Sequence, residues 1–498
     1  MKYAWIACLA ACSPPAFEVA THGNALRPNN PRTPDMFHYE PGDVVEHLDS
    51  AGGEFRIHYT RAGRHAVALA DADMSGVPDT VERNARLYDE LIAHYRLLGW
   101  RDPVSDLMNP DNGGDQRFDV YLVDFARAAD GSFRSEFCTG SICSGFMVQE
   151  NDFVGYGYPS VTAAERTVAS HELFHAVQAA YDADQGSVLA EGTAVWAEEE
   201  FDPTLTDFEG QIDGYLDNPG RSIDVPLPGP VDRFSYGSAI FFRFLSERFD
   251  PVLIKELYEG VVDGAGGVPD PKWKDVLPGL LAMHGSSFAD AFTEFASWNL
   301  YTGGFASMGY GYANAARYPR VKAIAVTAPV DEADLRIFYA SQPVYSVTVD
   351  GRDPIDVAIV GDDLQGLVLL TAPIRGGRLV SPPGTSTPRA SISGAEGLLV
   401  TIVNTNLAGN SKRPSLCAGT ATEVDACLMR HAPPTPDAGL NAPDAEPAPD
   451  AATFPDAGVT ADDASVPVAE LPTSCASTPA SSPLALLIVL VLLHKRRR

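Results

Sequence analysis

The chain has 498 residues, and its hydrophobic fraction of 45% is typical of a folded globular protein rather than a disordered one. A chain of this length exceeds one ordinary hydrophobic core, so we expect two or more domains. Lysine and arginine total 36 against 66 aspartate and glutamate residues, which gives a formal net charge of -30. Because such an excess of negative charge repels phosphate backbones, the composition argues against a nucleic-acid partner.

The chain begins with the outline of an export signal, in which Lys2 precedes a short apolar run that ends at Cys12. The run Leu9-Ala10-Ala11-Cys12 also resembles a bacterial lipobox, a signal in which the cysteine is lipidated and becomes the mature N-terminus. We therefore expect residues 1–12 to direct export, with Cys12 as the candidate lipidation site. Proline-rich sequence follows, and residues 13–46 are expected to be a leader or pro-like segment.

An Asp-rich segment after the first predicted strand, Glu54–Tyr59, has the ligand spacing of a twelve-residue calcium loop. Acidic residues occupy positions 1, 3, 9 and 12, a hydroxyl occupies position 5 and glycine position 6. Serine at position 5 and proline at position 8 depart from the usual loop, and an Asp-rich turn before a helix also serves as an N-cap, so both interpretations stay open. The candidate calcium ligands are Asp71, Asp73, Ser75, Asp79 and Glu82.

Apolar periodicity predicts a helix over about Thr80–Leu98 and strands at Phe118–Asp124 and Gly145–Gln149. A helix without proline is then predicted over residues 163–180. With largely helical sequence following as far as Tyr318, the pattern predicts an α+β domain over residues 47–320.

The predicted helix over residues 163–180 carries the motif His171-Glu172-Leu173-Phe174-His175. Residues four apart lie on one face of a helix, so both imidazoles can bind one metal ion. Zinc favours such nitrogen ligands, and a catalytic zinc site combines three protein ligands with an open position for water. Glu172 is then placed to take a proton from that water as general base.

A second helix is predicted from Leu189 onward, and its first turns contain Glu191-Gly192-Thr193-Ala194-Val195-Trp196. HELFH followed by AEGTAVWAE resembles the gluzincin clan of zinc metallopeptidases, in which a glutamate on the helix after the HExxH helix is the third ligand. The resemblance implies a zincin-like fold with a mixed sheet and an active-site helix, zinc as cofactor, and Glu191 as the third ligand. The interval from His175 to Glu191 is short for that clan and requires a tight connecting turn.

The order of the Asp-rich loop, the strand, the HExxH helix and a later Tyr-Gly helix also resembles secreted metalloproteases of myxobacteria, over about Phe55–Glu259. Competing third ligands are Asp182, Asp184 and the run Glu198–Glu200. We interpret the glutamate run as a solvated helix face. Trp196 is expected in the core. Tyr236 is either structural or a hydrogen-bond donor to an oxyanion.

From Val321 the pattern changes to short alternating strands separated by turns, which predicts a small all-β, sandwich-like domain over residues 321–430. Residues 431–482 are rich in Pro, Ala and Asp and are expected to be an extended linker. The last stretch, residues 483–498, has a run of ten apolar residues, too few to span a bilayer comfortably, followed by a basic cluster. Together with Cys475 it resembles the myxobacterial C-terminal sorting signal, which implies display on the cell surface or release.

Seven cysteines occur, three of them near the two ends of the chain. The other four form the close pairs Cys138/Cys143 and Cys417/Cys427. In an exported chain such pairs predict two local disulfides, and four free thiols are the alternative.

Taken together, the motifs predict an exported zinc-dependent endopeptidase that acts on proteins or peptides and contacts the cell envelope through its terminal anchors. Glu172 is its expected general base, and the strand Gly145–Gln149 is expected to hold the substrate extended by β-addition. The alternative is a non-catalytic surface adhesin or binding protein on the same scaffold.

Overall fold

The computed structural model describes residues 25–33, 37–225, 233–386 and 388–432. The predicted export signal with Cys12, the C-terminal tail and all but the first two residues of the predicted linker lie outside the described residues. Within the described ranges, no helix combines the length and the apolar character needed to cross a membrane.

Alternating apolar residues in the first half of the chain form a five-stranded mixed sheet. Its strands are β1 (Val45–Asp49), β2 (Phe55–Thr60), β3 (Phe118–Val123), β4 (Gly131–Thr139) and β5 (Ile142–Glu150). They lie in the order β1-β2-β3-β5-β4, with β2, β3 and β5 parallel and the two edge strands antiparallel to their neighbours. The strand predicted at Gly145–Gln149 is part of β5, which has β3 on one side and β4 on the other. It has no free edge for an added peptide, so that prediction is wrong.

Helices α1 (Asp79–Leu97) and α2 (Val161–Gln178) pack against this sheet and against each other. Most of α2 is buried, as its apolar flanks predict. Ser160 caps it by accepting a hydrogen bond from the backbone N–H of Ala163 at 3.1 Å. This places the HExxH residues in the interior of the molecule rather than on a solvated face.

A mainly helical layer rich in buried phenylalanine and tyrosine continues the chain after α2. Its core is continuous with the apolar residues of β2, β3, α1 and α2. The helices are α3 (Ser187–Phe201), α4 (Asp207–Gln211), α5 (Asp213–Leu216), α6 (Arg233–Gly237), α7 (Ala239–Arg248), α8 (Val252–Gly260), α9 (Trp273–Met283) and α10 (Phe288–Leu300).

Two further sheets, largely antiparallel, follow from Ile324 and pack their apolar faces on a common core. One has the order β11-β10-β14-β8-β6, with β12 beside β10, and the other has the order β13-β9-β15-β7. The strands are β6 (Ile324–Thr327), β7 (Val330–Glu332), β8 (Val344–Thr348), β9 (Ile355–Val360), β10 (Leu367–Arg375), β11 (Arg378–Leu379), β12 (Gly384–Ser386), β13 (Arg389–Ile392), β14 (Gly397–Asn404) and β15 (Ser415–Gly419).

The region predicted to be all-β ends in a helix, α11 (Ala421–His431), which corrects that prediction. Thr420 and Glu423 form a reciprocal capping box at its start, a signal that is present in the sequence. The helix packs on β9 and β15.

Both predicted disulfides are confirmed. Cys138 and Cys143 are direct partners across the β4–β5 hairpin. Cys417 on β15 bonds Cys427 on α11. Each bridge therefore joins two neighbouring elements, and the second one fastens the helix to its sheet.

Neither predicted limit of the metallopeptidase region coincides with a break in packing. Strand β1 runs across the limit at residue 46, and Tyr39 is buried with Tyr121 and Phe125. Beyond residue 320, Val344 and Leu399 belong to the same buried core as the helical layer. All described residues fall within one compact unit, Met1–Pro434.

Candidate metal centre

Two adjacent helices, α2 and α3, bring the predicted ligands together. His171 and His175 are one turn apart on α2, and Glu191 lies in the first half of α3. Gly192 allows the close approach of α3 and α7, because a Cβ atom there would lie 2.2 Å from Ser238 Oγ and 2.7 Å from a ring carbon of Phe242. The packing of α3 against α7 therefore explains why glycine follows Glu191.

One carboxylate oxygen of Glu191 faces both imidazoles. Oε2 lies 3.2 Å from Nε2 of His171 and 3.5 Å from Nε2 of His175. One ligand atom from each of the three residues lies within 4.8 Å of the others, as atoms that share a metal ion must.

The other nitrogen of each imidazole is occupied. Nδ1 of His171 lies 2.6 Å from Oε1 of Glu198, and Nδ1 of His175 lies 2.8 Å from Oε1 of Gln178. Carboxylate and amide oxygens only accept hydrogen bonds, so each Nδ1 carries the proton and donates. The lone pair of a neutral imidazole is then on Nε2, directed at Glu191.

This arrangement places three electron-pair donors face to face and therefore requires a cation between them. Burial alone would lower the pKa of His171, but hydrogen bonds to Glu191 and Glu198 raise it well above its ordinary value. Burial alone would likewise raise the pKa of Glu191, yet the two histidines lower it far below its ordinary value. A proton or a metal ion satisfies the same need, and two imidazole nitrogens with one carboxylate are a donor set that suits zinc.

Glu172 lies on α2 against the sheet rather than among the ligands. The backbone N–H of Phe133 on β4 donates to its Oε2 at 2.7 Å. Gly131 gives the side chain room, since a Cβ atom there would lie 2.9 Å from Glu172 Cγ. Burial raises the pKa of Glu172, which favours a group that accepts and returns a proton.

Tyr236 stacks its ring on His171, with centroids 5.8 Å apart. Burial and the charges of Glu191 and Glu172 raise its pKa well above the ordinary value, so the phenol keeps its proton. Trp196 is 1% exposed and packs against Trp100 and Phe174, which confirms the core assignment.

The run Glu198–Glu200 is not the solvated face that was predicted, because Glu198 is 2% and Glu199 3% exposed. Glu199 accepts a hydrogen bond from Asn314, while Glu198 supports His171. The role of Glu198 as a partner of His171 was not predicted, although residues seven apart, such as Glu191 and Glu198, share one helix face.

The short interval between His175 and Glu191 is closed by local hydrogen bonds. Gln178 bridges the helices, since Nε2 donates to the carbonyl of Ala190 at 2.8 Å and to Thr193 Oγ1 at 2.9 Å. Asp182 accepts from the backbone N–H of Asp184 and from Gln185, so it stabilises the turn. Neither Asp182 nor Asp184 is in the group formed by His171, His175 and Glu191.

The Asp-rich loop is only partly assembled as a cation site. Carboxylate oxygens of Asp71, Asp73 and Asp79 lie within 4.8 Å of one another, but Glu82 is not in that group and lies 3.7 Å from Arg86. The loop carboxylates accept backbone hydrogen bonds instead: Asp71 and Asp73 from Ser75, and Asp79 from Ala72. The helix-cap interpretation is wrong, because the N-cap position of α1 is Pro78 and no side chain caps it.

No protein-family model and no curated protein matches the chain. Among solved structures, the crystal structure of Legionella pneumophila aminopeptidase A in complex with aspartic acid is similar at 13% identity and a TM-score of 0.30. The match covers 75% of this chain and 37% of that chain. A likeness this slight supports no argument about fold or activity.

Proposed function

We propose that this protein is an exported zinc-dependent endopeptidase. The observation that carries the proposal is the convergence of His171 Nε2, His175 Nε2 and Glu191 Oε2, with both Nδ1 atoms already engaged. Zinc-binding histidines commonly donate their second nitrogen to a carboxylate or carbonyl, which fixes the ring and its tautomer. Glu198 and Gln178 supply those acceptors.

His171, His175 and Glu191 are the residues that would hold zinc. A bound zinc ion supplies Lewis acidity, which activates water and polarises a peptide carbonyl. Three protein ligands leave one position for that chemistry, as in other catalytic zinc sites.

Glu172 is the base in this proposal. With Oε2 held by the N–H of Phe133, the carboxylate is fixed in orientation, and no hydrogen bond to Oε1 occurs within the described ranges. Oε1 is therefore available to take the proton of the attacking water and return it to the leaving amine. Tyr236, protonated and stacked on His171, is the candidate donor to the developing oxyanion.

Strand β4 replaces β5 as the element for substrate docking. It is one of the two edge strands of the first sheet, and its start lies against Glu172. An extended peptide that adds to an edge strand gains main-chain hydrogen bonds and lies parallel or antiparallel to it. This would bring a scissile bond past the proposed base.

Export is part of the proposal and is supported by the two disulfides, which persist in oxidising compartments. Attachment to the cell envelope through Cys12 or the C-terminal tail stays a prediction from the sequence. Calcium binding by the Asp-rich loop also stays a prediction.

The test is a comparison of the parent with Glu172→Gln, prepared without added metal. We expect one zinc per chain in both proteins and casein hydrolysis only by the parent. His171→Ala is the matched ligand variant and should lose zinc as well as hydrolysis. Casein cleavage by Glu172→Gln at the parental rate would overturn the mechanism, and a parent without zinc or hydrolysis would favour the adhesin alternative.

A further inference from the structure

A cavity of about 640 Å³ opens beside the candidate metal centre. It is lined by Asp130 directly before β4, the connection from β5 to α2, the first turns of α2 and the connection from α3 to α4. Two of its lining residues adjoin the proposed machinery. Thr167 lies one turn before His171, and Asp130 directly precedes Gly131, the residue packed against Glu172. The cavity therefore adjoins the proposed machinery along α2 and at the start of β4.

Two carboxyl groups in the cavity wall pair with no lysine or arginine among the described residues, and His171 is a basic group whose charge acts on both. Asp130 accepts from the hydroxyl of Tyr158 at 2.5 Å, and Asp207 accepts from Nε2 of Gln211 at 3.0 Å. Arg166 also lines the cavity, but it pairs with Asp202 at 2.6 Å and with Glu90 at 3.2 Å. The wall thus presents two carboxyl groups whose hydrogen-bond donors are neutral, and burial raises the pKa of both.

A third carboxylate lies behind this wall. Glu198 is 2% exposed, and its Oε2 has no hydrogen-bond partner within the described ranges. Its Oε1 accepts from Nδ1 of His171, so Glu198 belongs to the metal centre rather than to the cavity. Asp130 and Asp207, whose hydrogen-bond donors are neutral, are costly to ionise unless a positive group binds beside them.

We propose that this cavity binds the positively charged group of a substrate, so that cleavage occurs beside lysine or arginine or close to a free N-terminal ammonium. The statement that cleavage occurs there rests on the proposed function, whereas the binding of a cation in the cavity does not. Tyr156 and Tyr158 offer aromatic surface to a hydrocarbon stem, and Asp130 and Asp207 offer oxygens to its charged end.

Binding is tested first, with the zinc-loaded Glu172→Gln full chain and short peptide amides in a calorimeter. The first pair compares an N-acetylated lysine peptide with its norleucine isostere, and the second compares free-amine with N-acetylated norleucine peptides. A hydrogen bond to a charged group contributes enough for a preference of about tenfold or more for the cationic peptide. The pair that shows this preference identifies the source of the cation, either a side chain or the N-terminus.

In the same background, Asp207→Asn should reduce that preference by about tenfold, and Asp207→Glu should restore part of it. Asp217→Asn removes a carboxylate from an exposed position outside the cavity and should leave the preference unchanged. Thermal unfolding of each variant separates a lost contact from a lost fold.

Hydrolysis of the same peptides by the parent chain then separates the two proposals. Cation-selective binding without hydrolysis would overturn the endopeptidase and leave the cavity assignment standing. Hydrolysis at equal kcat/KM for lysine and norleucine peptides, with equal binding, would overturn the cavity assignment alone. A preference for the cationic peptide that survives both Asp207→Asn and Asp130→Asn would also overturn the cavity assignment.

Discussion

At the residue scale, Glu198 and Gln178 fix the two imidazoles by accepting hydrogen bonds from Nδ1 of His171 and His175. A ligand that is held in one tautomer and one orientation loses less freedom on binding a metal. The acceptors also come from different directions: Glu198 lies on α3, whereas Gln178 lies on α2 itself. Preorganisation of the centre thus depends on the packing of two helices.

We expect Glu198→Gln to lower zinc affinity by about tenfold to a hundredfold, because an amide oxygen still accepts from His171 but carries no charge. Competition with a chromophoric chelator measures the change. Glu199→Gln is the matched control, since Glu199 is equally buried on the same helix but contacts Asn314 instead. Equal losses of zinc affinity in both variants would contradict the positioning role.

We expect Tyr236→Phe to lower kcat by roughly a hundredfold with KM and zinc content unchanged, because removal of one oxyanion donor acts on the transition state. Steady-state kinetics on a peptide substrate measure both parameters. If Tyr236 is structural, the variant instead shows a lower melting temperature and a near-parental kcat.

At the scale of elements, residues 25–33 and 37–44, which precede β1, behave as part of the fold rather than as a removable leader. Arg27 is 1% exposed, and its guanidinium pairs with Asp106 and Glu136 at 2.6 Å each and with Asp119. Removal of one partner from a buried ion-pair network leaves uncompensated charge, which is strongly destabilising. Any processing that yields a stable protein should therefore cut before Arg27.

We expect Arg27→Met to lower the free energy of unfolding by about 3 to 5 kcal/mol, measured by urea denaturation. Arg32→Met in the same segment is the control, because Arg32 is exposed and its replacement should change stability by less than about 0.5 kcal/mol. A parental unfolding midpoint for Arg27→Met would show that the segment is dispensable.

The same cluster predicts a pH dependence. Burial raises the pKa of Glu136 from 4.5 to about 7, so the native state keeps a proton that the unfolded chain has already released. Stability from this group is present below pH 4.5 and is lost as the pH rises to about 7, by up to about 3 kcal/mol. Glu136→Gln should remove that loss, so its stability relative to the parent should rise over this range in urea titrations. A constant difference would contradict the assignment.

At the scale of the whole molecule, the helical layer shares buried residues with one of the two later sheets, the one that contains β8, β10 and β14. The hydroxyl of Tyr301 donates to the carbonyl of Val380 at 2.5 Å, and Gln342 Nε2 donates to Tyr215 at 3.0 Å. The apolar core of the helices includes Val344, and it continues into β10 and β14. That sheet is thus a wall of the helical core, and its other face packs on the second sheet.

We therefore expect a chain that ends at residue 320 to fail to fold, because removal of the sheets exposes this shared apolar surface. The full chain should unfold in one calorimetric transition with equal calorimetric and van't Hoff enthalpies. Two separate transitions, or a soluble and cooperatively folded fragment, would show that the sheets form an independent domain.

Local patterns in the sequence were sufficient to predict much of the site and of the secondary structure. Helix α2 follows from an apolar stretch without proline, and the spacing of His171 and His175 follows from the helical turn. Glu191 came from a resemblance of motifs, and the structure places it opposite both imidazoles. The two disulfides followed from close cysteine spacing in a chain expected to be exported.

What the sequence by itself determined are features set within a few residues, such as helix faces, short disulfides and the excess of negative charge. The tertiary structure alone decided which strand is an edge, that Glu198 lies behind His171, that Arg27 is buried and that residue 320 does not end a core. These depend on contacts between residues far apart in the chain, and periodicity carries no information about such partners. The physical reason is that burial of apolar area and of charge is shared between elements rather than encoded in any one of them.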